Sequence, residues 1–144
     1  MFFLKELPSR QMVDGYADQF ADVDVDRVLD ALRLMRRASL LIRELEAYFA
    51  RHDLSQLRFL MMILIDREPE RNCLAASEIA ERLDVSRPVV TRTLQGLERA
   101  GLIAISENSE DARSRNVTLT LSGKAKLDEV LPGYFAILHR PDPA

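Results

Sequence analysis

Ser86, Arg87, Pro88, Thr91, Arg92 and Gln95 lie within one short stretch of the chain. At 3.6 residues per turn they share the outer side of a helix predicted over 86–100. Their side chains are of the types that reach base edges and phosphates. Ser86 is placed as N-cap and Pro88 in the first turn, so the helix start is preorganised, and its free backbone amides attract phosphate. The opposite side carries Val90, Leu94 and Leu97 at i, i+4 and i+7, an inward apolar stripe. Glu98 sits farther from the end that would enter a groove. Arg113 and Arg115 form a second basic group downstream, with Asp111 two residues before Arg113.

The elements that must position these groups follow from periodicity. A short helix over 77–83, a turn at 83–85, the helix over 86–100 and a left-handed stop at Gly101 make a helix-turn-helix. Ala80 is expected to face inward where the two helices cross, and Val85 to plug the turn. Two β-prone runs follow, 102–105 and 117–121, and the residues between them are polar apart from Ala112, so they read as a hairpin. A helix-turn-helix followed at once by a hairpin is a winged helix, with Arg113 and Arg115 on the wing.

Upstream, a short helix is expected within 9–22. Apolar positions from Val28 to Phe49 recur every three or four residues, giving a helix to about residue 51 that is some 38 Å long. A helix that long and apolar reads as a dimerisation helix. A buried helix follows, capped by Ser55 and ending before Pro69, and Ser122 opens a last helix that Pro132 and Gly133 kink or end. The fold class is therefore mainly α with a small β-hairpin wing. A single domain over 1–144 is expected, with dimerisation helices in 9–52 and 123–144 and a DNA-binding winged helix-turn-helix in 53–122.

Composition fits one globular domain. The chain has 144 residues and a net charge of −3, from 20 basic and 23 acidic side chains. The longest apolar run, 59–65, is seven residues, far short of the ~18 a membrane span needs. One cysteine, Cys73, closes no internal disulfide, and no export signal is visible at the N-terminus, so a cytoplasmic protein is expected. Acidity argues against a nucleic-acid partner only if charge is spread evenly, and it is not. The basic residues are 17 Arg and 3 Lys, and residues 86–99 carry a local charge of +2.

The run SEIAERLDVSRPVVTRTLQGLERAGLI, followed by EDARSRNVTLTLSGKAKL, resembles the multiple-antibiotic-resistance regulator (MarR) family of bacterial transcription factors over roughly 54–131. The resemblance implies a homodimer built on interleaved terminal helices, with two recognition helices in successive major grooves of double-stranded DNA at a pseudo-palindrome. It also implies a repressor released by a small aromatic or phenolic effector or by thiol oxidation. Matched by position, 86–100 is the recognition helix, and Asp111 braces an Arg113 that reaches the minor groove. Asp84 stands where such turns usually have glycine, Ala112 where the wing usually has arginine. Gly96, in mid-helix, costs about 0.5–1 kcal/mol relative to alanine.

Other readings are weaker. Cys73 as a redox sensor competes with an inert buried thiol. His52 and His139 lack partners at metal-ligand spacing, and Asp22, Asp24, Asp26 and Asp30 lack the glycine and glutamate of a calcium loop, so no metal or cofactor is expected. No phosphate-cradling loop or nucleophile–base pair points to an enzyme. The rival class is a protein-interaction adaptor on a winged-helix fold, to which the wing acids Glu107 and Glu110 would be suited.

Overall fold

The computed structural model describes residues 2–20, 22–68, 73–107 and 115–140. Among the described residues, six helices and three strands run in the order α1 (Arg10–Ala17), α2 (Val25–Ala50), α3 (Gln56–Asp66), β1 (Leu74–Ala75), α4 (Ala76–Arg82), α5 (Arg87–Arg99), β2 (Ile103–Glu107), β3 (Arg115–Leu119) and α6 (Leu121–Leu138). They fall into two compact units, Met1–Leu45 and Glu46–Ala144. No helix among the described residues is long and apolar enough to cross a membrane.

In the first unit, Ser9 caps α1 by accepting the Met12 amide, and Arg10 pairs with Asp26 across the α1–α2 connection. The chain start is tied to α2 through one carbonyl: Phe2 O accepts from the Ser39 hydroxyl and from Arg43 Nη2 at 3.2 Å. Phe2, Val13 and Leu29 are buried, whereas Met12, Tyr16, Phe20, Leu34, Met35, Leu40, Leu41 and Ile42 remain exposed.

The second unit holds the larger core. α2 ends in a left-handed turn at Asp53 (φ 55°), where the amide of Leu54 reaches back to Phe49 O and that of Asp53 to Ala50 O. Ser55 then caps α3 through the Arg58 amide at 3.1 Å. Phe49 stacks on Phe59 with ring centroids 4.5 Å apart, and Tyr134 of α6 tilts onto Phe59 at 4.7 Å. Met61, Met62, Ile65, Leu74, Ile79, Leu97, Val117, Leu127 and Val130 are fully enclosed. The sheet is antiparallel in the order β1-β3-β2, so Val117 lies between Leu74 on one side and Ile105 on the other. The hairpin expected from sequence thus gains a third strand, β1, beside Cys73.

Two joints fix the directions of α5 and α6. α5 ends at Gly101 (φ +74°), with the amide of Gly101 bonded to Glu98 O and that of Leu102 to Leu97 O. These are the paired bonds of a Schellman stop, which needs a residue tolerant of the left-handed region. The second joint lies at the start of α6. The Thr120 hydroxyl donates to Gly101 O at 2.6 Å and accepts the Gly123 amide, while the Thr120 amide bonds Leu102 O. Gly123 packs so closely on that same Leu102 carbonyl that a Cβ would collide with the oxygen.

α6 also corrects an expectation, since it runs through Pro132 and Gly133 to Leu138. Pro132 withholds one amide from the helix ladder. The same stretch is reinforced from α2: the Tyr48 hydroxyl donates to Val130 O at 2.8 Å, and Gly133 leaves the space that the Tyr48 ring fills. Nearby, Glu129 accepts a hydrogen bond from His52 Nδ1 at 3.1 Å and faces Lys126 at 3.6 Å. That bond, and next the Lys126 charge, hold the Glu129 carboxyl below the ordinary glutamate range.

Two outcomes are expected. Gly123→Ala should lower stability by about 1–3 kcal/mol or more, read by denaturant unfolding, because a backbone oxygen cannot swing aside as a side chain can. For Glu129 the depressed folded-state pKa stabilises the fold above the ordinary glutamate pKa of about 4.3, and this is lost as pH falls through the folded value. Glu129→Gln should therefore lower the melting temperature at pH 7, with the difference from the unsubstituted chain shrinking as the pH is taken below about 4.

Candidate nucleic-acid interface

α5 divides into two faces. Val90, Leu94 and Leu97 are buried. Ser86, Arg87, Pro88, Thr91, Arg92 and Gln95 are all exposed. The inner stripe packs within the second unit, where α5 lies against α3, α4 and β2. Burial of that stripe aims the polar face at solvent. Among the described residues, no side-chain hydrogen bond or ion pair engages Arg87 or Arg92. Arg99 donates from Nε to Gln95 O at 3.4 Å, and Thr93 turns its hydroxyl inward to Val89 O.

Four local expectations change. Ser86 has the extended backbone of an N-cap, yet its hydroxyl makes no capping bond, so only Pro88 in the first turn and the free amides remain as its start signals. Val85 is 37% exposed and does not plug the turn; Leu83, half-buried, lies closer to that role. Ile79, fully enclosed, is the inward residue of α4, with Ala80 only half-buried beside it. Asp84 avoids the left-handed region altogether, so the turn does not require glycine there. The N-cap of α4 is Ala75, which has no side-chain acceptor; Glu78 supplies half a capping box by accepting the Ala75 amide at 2.8 Å.

On the wing, Arg115 is exposed at the start of β3 and lies opposite Glu107 in the strand register. Asp111 and Arg113, the expected salt bridge and minor-groove contact, lie outside the described residues. Cys73 is half-buried rather than enclosed. No group of three or more His, Cys, Asp and Glu side chains among the described residues is placed to hold a metal ion.

One residue was not singled out from the sequence. Arg58, on the first turn of α3, lays its guanidinium over Gly96 of α5. Its Nη2, Cζ and Nε lie 2.6, 3.4 and 3.7 Å from where a Cβ on residue 96 would stand. The available signal was Gly96 itself, a mid-helix glycine that no turn requires.

A helix-turn-helix backed by a three-stranded antiparallel sheet, with the two longer strands forming a wing, defines the winged helix-turn-helix class. The profile described as MarR family matches residues 52–114. The chain is 33% identical over 134 residues to the HTH-type transcriptional repressor YetL of Bacillus subtilis (strain 168), covering 92% of this chain and 79% of that protein. It is 43% identical over 67 residues to the HTH-type transcriptional repressor MdtR of the same organism, covering 46% of this chain and 43% of that one. Among solved structures, Sco3205, a MarR family transcriptional regulator from Streptomyces coelicolor in complex with DNA, shares the fold with a TM-score of 0.77 at 20% identity, covering 84% of this chain and 79% of that one. The chain belongs to the MarR family. Its curated relatives are named as transcriptional regulators or repressors, not as enzymes.

Because the Ser86 hydroxyl caps nothing, Ser86→Ala should leave the melting temperature almost unchanged. Ser55→Ala, which removes a cap bond that is made, should cost about 0.5–2 kcal/mol in the same unfolding measurement.

Proposed function

We propose that the chain is a cytoplasmic, ligand-responsive repressor that binds a pseudo-palindromic operator in double-stranded DNA as a homodimer. The observation that carries this reading is the outer face of α5, where Ser86, Arg87, Pro88, Thr91, Arg92 and Gln95 are exposed together on a helix whose other side is locked into the core. The helix would enter the major groove by its N-terminal end, with Arg87 closest to base edges and Arg92 on a phosphate. Arg113, braced by Asp111, and Arg115 would serve the adjacent minor groove.

Residues 53–122 would read DNA, and 9–52 with 123–144 would join two copies within a single-domain protomer. Exposure of Leu34, Met35, Leu40, Leu41 and Ile42 along α2, and of Phe135 and Leu138 on α6, supports an apolar partner of the same kind. An effector of the small aromatic or phenolic class fits the scale of an open cavity of about 490 Å³ in the second unit. It is lined by Ile65, Asp66, Leu119, Thr120, Leu121 and Lys124, and the Lys124–Asp66 pair at 2.7 Å supplies its charge.

Titration of a labelled duplex from upstream of the chain's own gene should show saturable binding as a dimer. If about 6–10 phosphates are neutralised, affinity should fall by about 10³–10⁵ between 50 and 200 mM salt. Arg92→Ala should weaken binding to every sequence, whereas Arg87→Ala should cost about 1–3 kcal/mol and relax one operator position. Equal affinity for that duplex and for random DNA sinks the reading.

A further inference from the structure

Gly96 sits in the middle of α5, where glycine costs helix stability and where no positive φ or turn calls for it. A close approach between helix backbones is the usual reason for such a residue, yet the three atoms nearest to an added Cβ all belong to the guanidinium of Arg58. The glycine makes room for one cationic group. Arg58 is half-buried, and among the described residues its side chain has no hydrogen-bond or ion-pair partner. Among the described residues no anion neutralises it, so this half-buried guanidinium is a charge awaiting one.

The position of that charge follows from helix geometry. Residues 92, 96 and 99 recur at i, i+4 and i+7 and so form one strip of α5, bordering the outer face on the flank away from Glu98. Arg92 and Arg99 are exposed on it. Arg58 fills the gap between them, so the strip presents three guanidinium groups in a row over about 10 Å, two from α5 and one borrowed from α3. Like charges so close repel one another in the free protein, and a polyanion relieves that repulsion. The strip lies toward the middle and C-terminal half of α5, where a helix entering a groove by its N-terminus meets the sugar–phosphate backbone rather than base edges.

We propose that Arg58 is a DNA-backbone contact, a phosphate clamp supplied by α3 and held beside the recognition helix by the absence of a side chain at Gly96. This rests on the DNA-binding reading above and adds to it a residue outside the helix-turn-helix and wing. Guanidinium suits the role because its planar fork lies flat across the glycine while still offering N–H groups outward.

The test uses the full chain and a mixed-sequence DNA duplex, with log affinity plotted against log salt concentration. Arg58→Ala should weaken binding similarly on all sequences and reduce the slope by about 1 for each chain bound, while Arg58→Lys, which keeps the charge, should retain most of the slope. Gly96→Ala should raise or preserve the melting temperature, yet weaken DNA binding by displacing the guanidinium. Combined with Arg58→Ala it should add no further loss. If the unsubstituted chain binds DNA and Arg58→Ala leaves both affinity and slope unchanged, the clamp is overturned and the function reading stands. If the unsubstituted chain shows no salt-dependent binding to any duplex, the function reading itself falls, and the clamp with it.

Discussion

The approach of Gly123 onto the carbonyl of Leu102 is the joint on which the second unit depends. That carbonyl accepts the Thr120 amide, and Thr120 in turn engages Gly101 and Gly123 through its hydroxyl. The end of α5, the entry to β2, the exit from β3 and the first turn of α6 therefore meet within a few backbone groups. Each is a point where the chain reverses or changes element, where amides and carbonyls would otherwise lack partners. Three residue choices make the joint possible: glycine at 101 for its φ, threonine at 120 for a hydroxyl that both donates and accepts, and glycine at 123 for the absence of a side chain.

The direction of the recognition face follows from that joint and from the core behind it. α5 cannot rotate without exposing Val90, Leu94 and Leu97, and it cannot pivot about its C-terminus without breaking the Schellman bonds at Gly101. The polar side chains are thus aimed by apolar burial and backbone geometry, not by contacts of their own. Arg87 and Arg92 stay free to meet a ligand because the work of orientation is done elsewhere.

Much of this was legible in the residue pattern. The period of apolar positions marked α2, α3 and α5 to within a residue or two, Ser55 and Gly101 acted as the boundaries their chemistry implies, and the alternation around Val117 marked β3. What escaped notice had physical reasons. Pro132 is tolerated because α6 is held on both sides of it, including by Tyr48 from a distant helix, which no local rule registers. Beside Leu74 the residues left a short strand and a buried turn both open, and the two-residue β1 forms because β3 offers a free edge. Ser86 has the residue type and backbone of a cap, but its hydroxyl does not make the bond. Arg58 escaped because its significance lies in a neighbour 38 positions away in the chain, and the one visible trace was a glycine read as a cost.

The choice of arginine over lysine along this strip has a further consequence. A guanidinium is planar, offers five N–H donors in a rigid fork and is more weakly hydrated than an ammonium. The row formed by Arg92, Arg58 and Arg99 is therefore a line of flat, forked donors and not of point charges. A partner of this face gives up little to strip the water from it, so the spacing of the partner's anions and the competition from salt decide what the face accepts, more than charge alone.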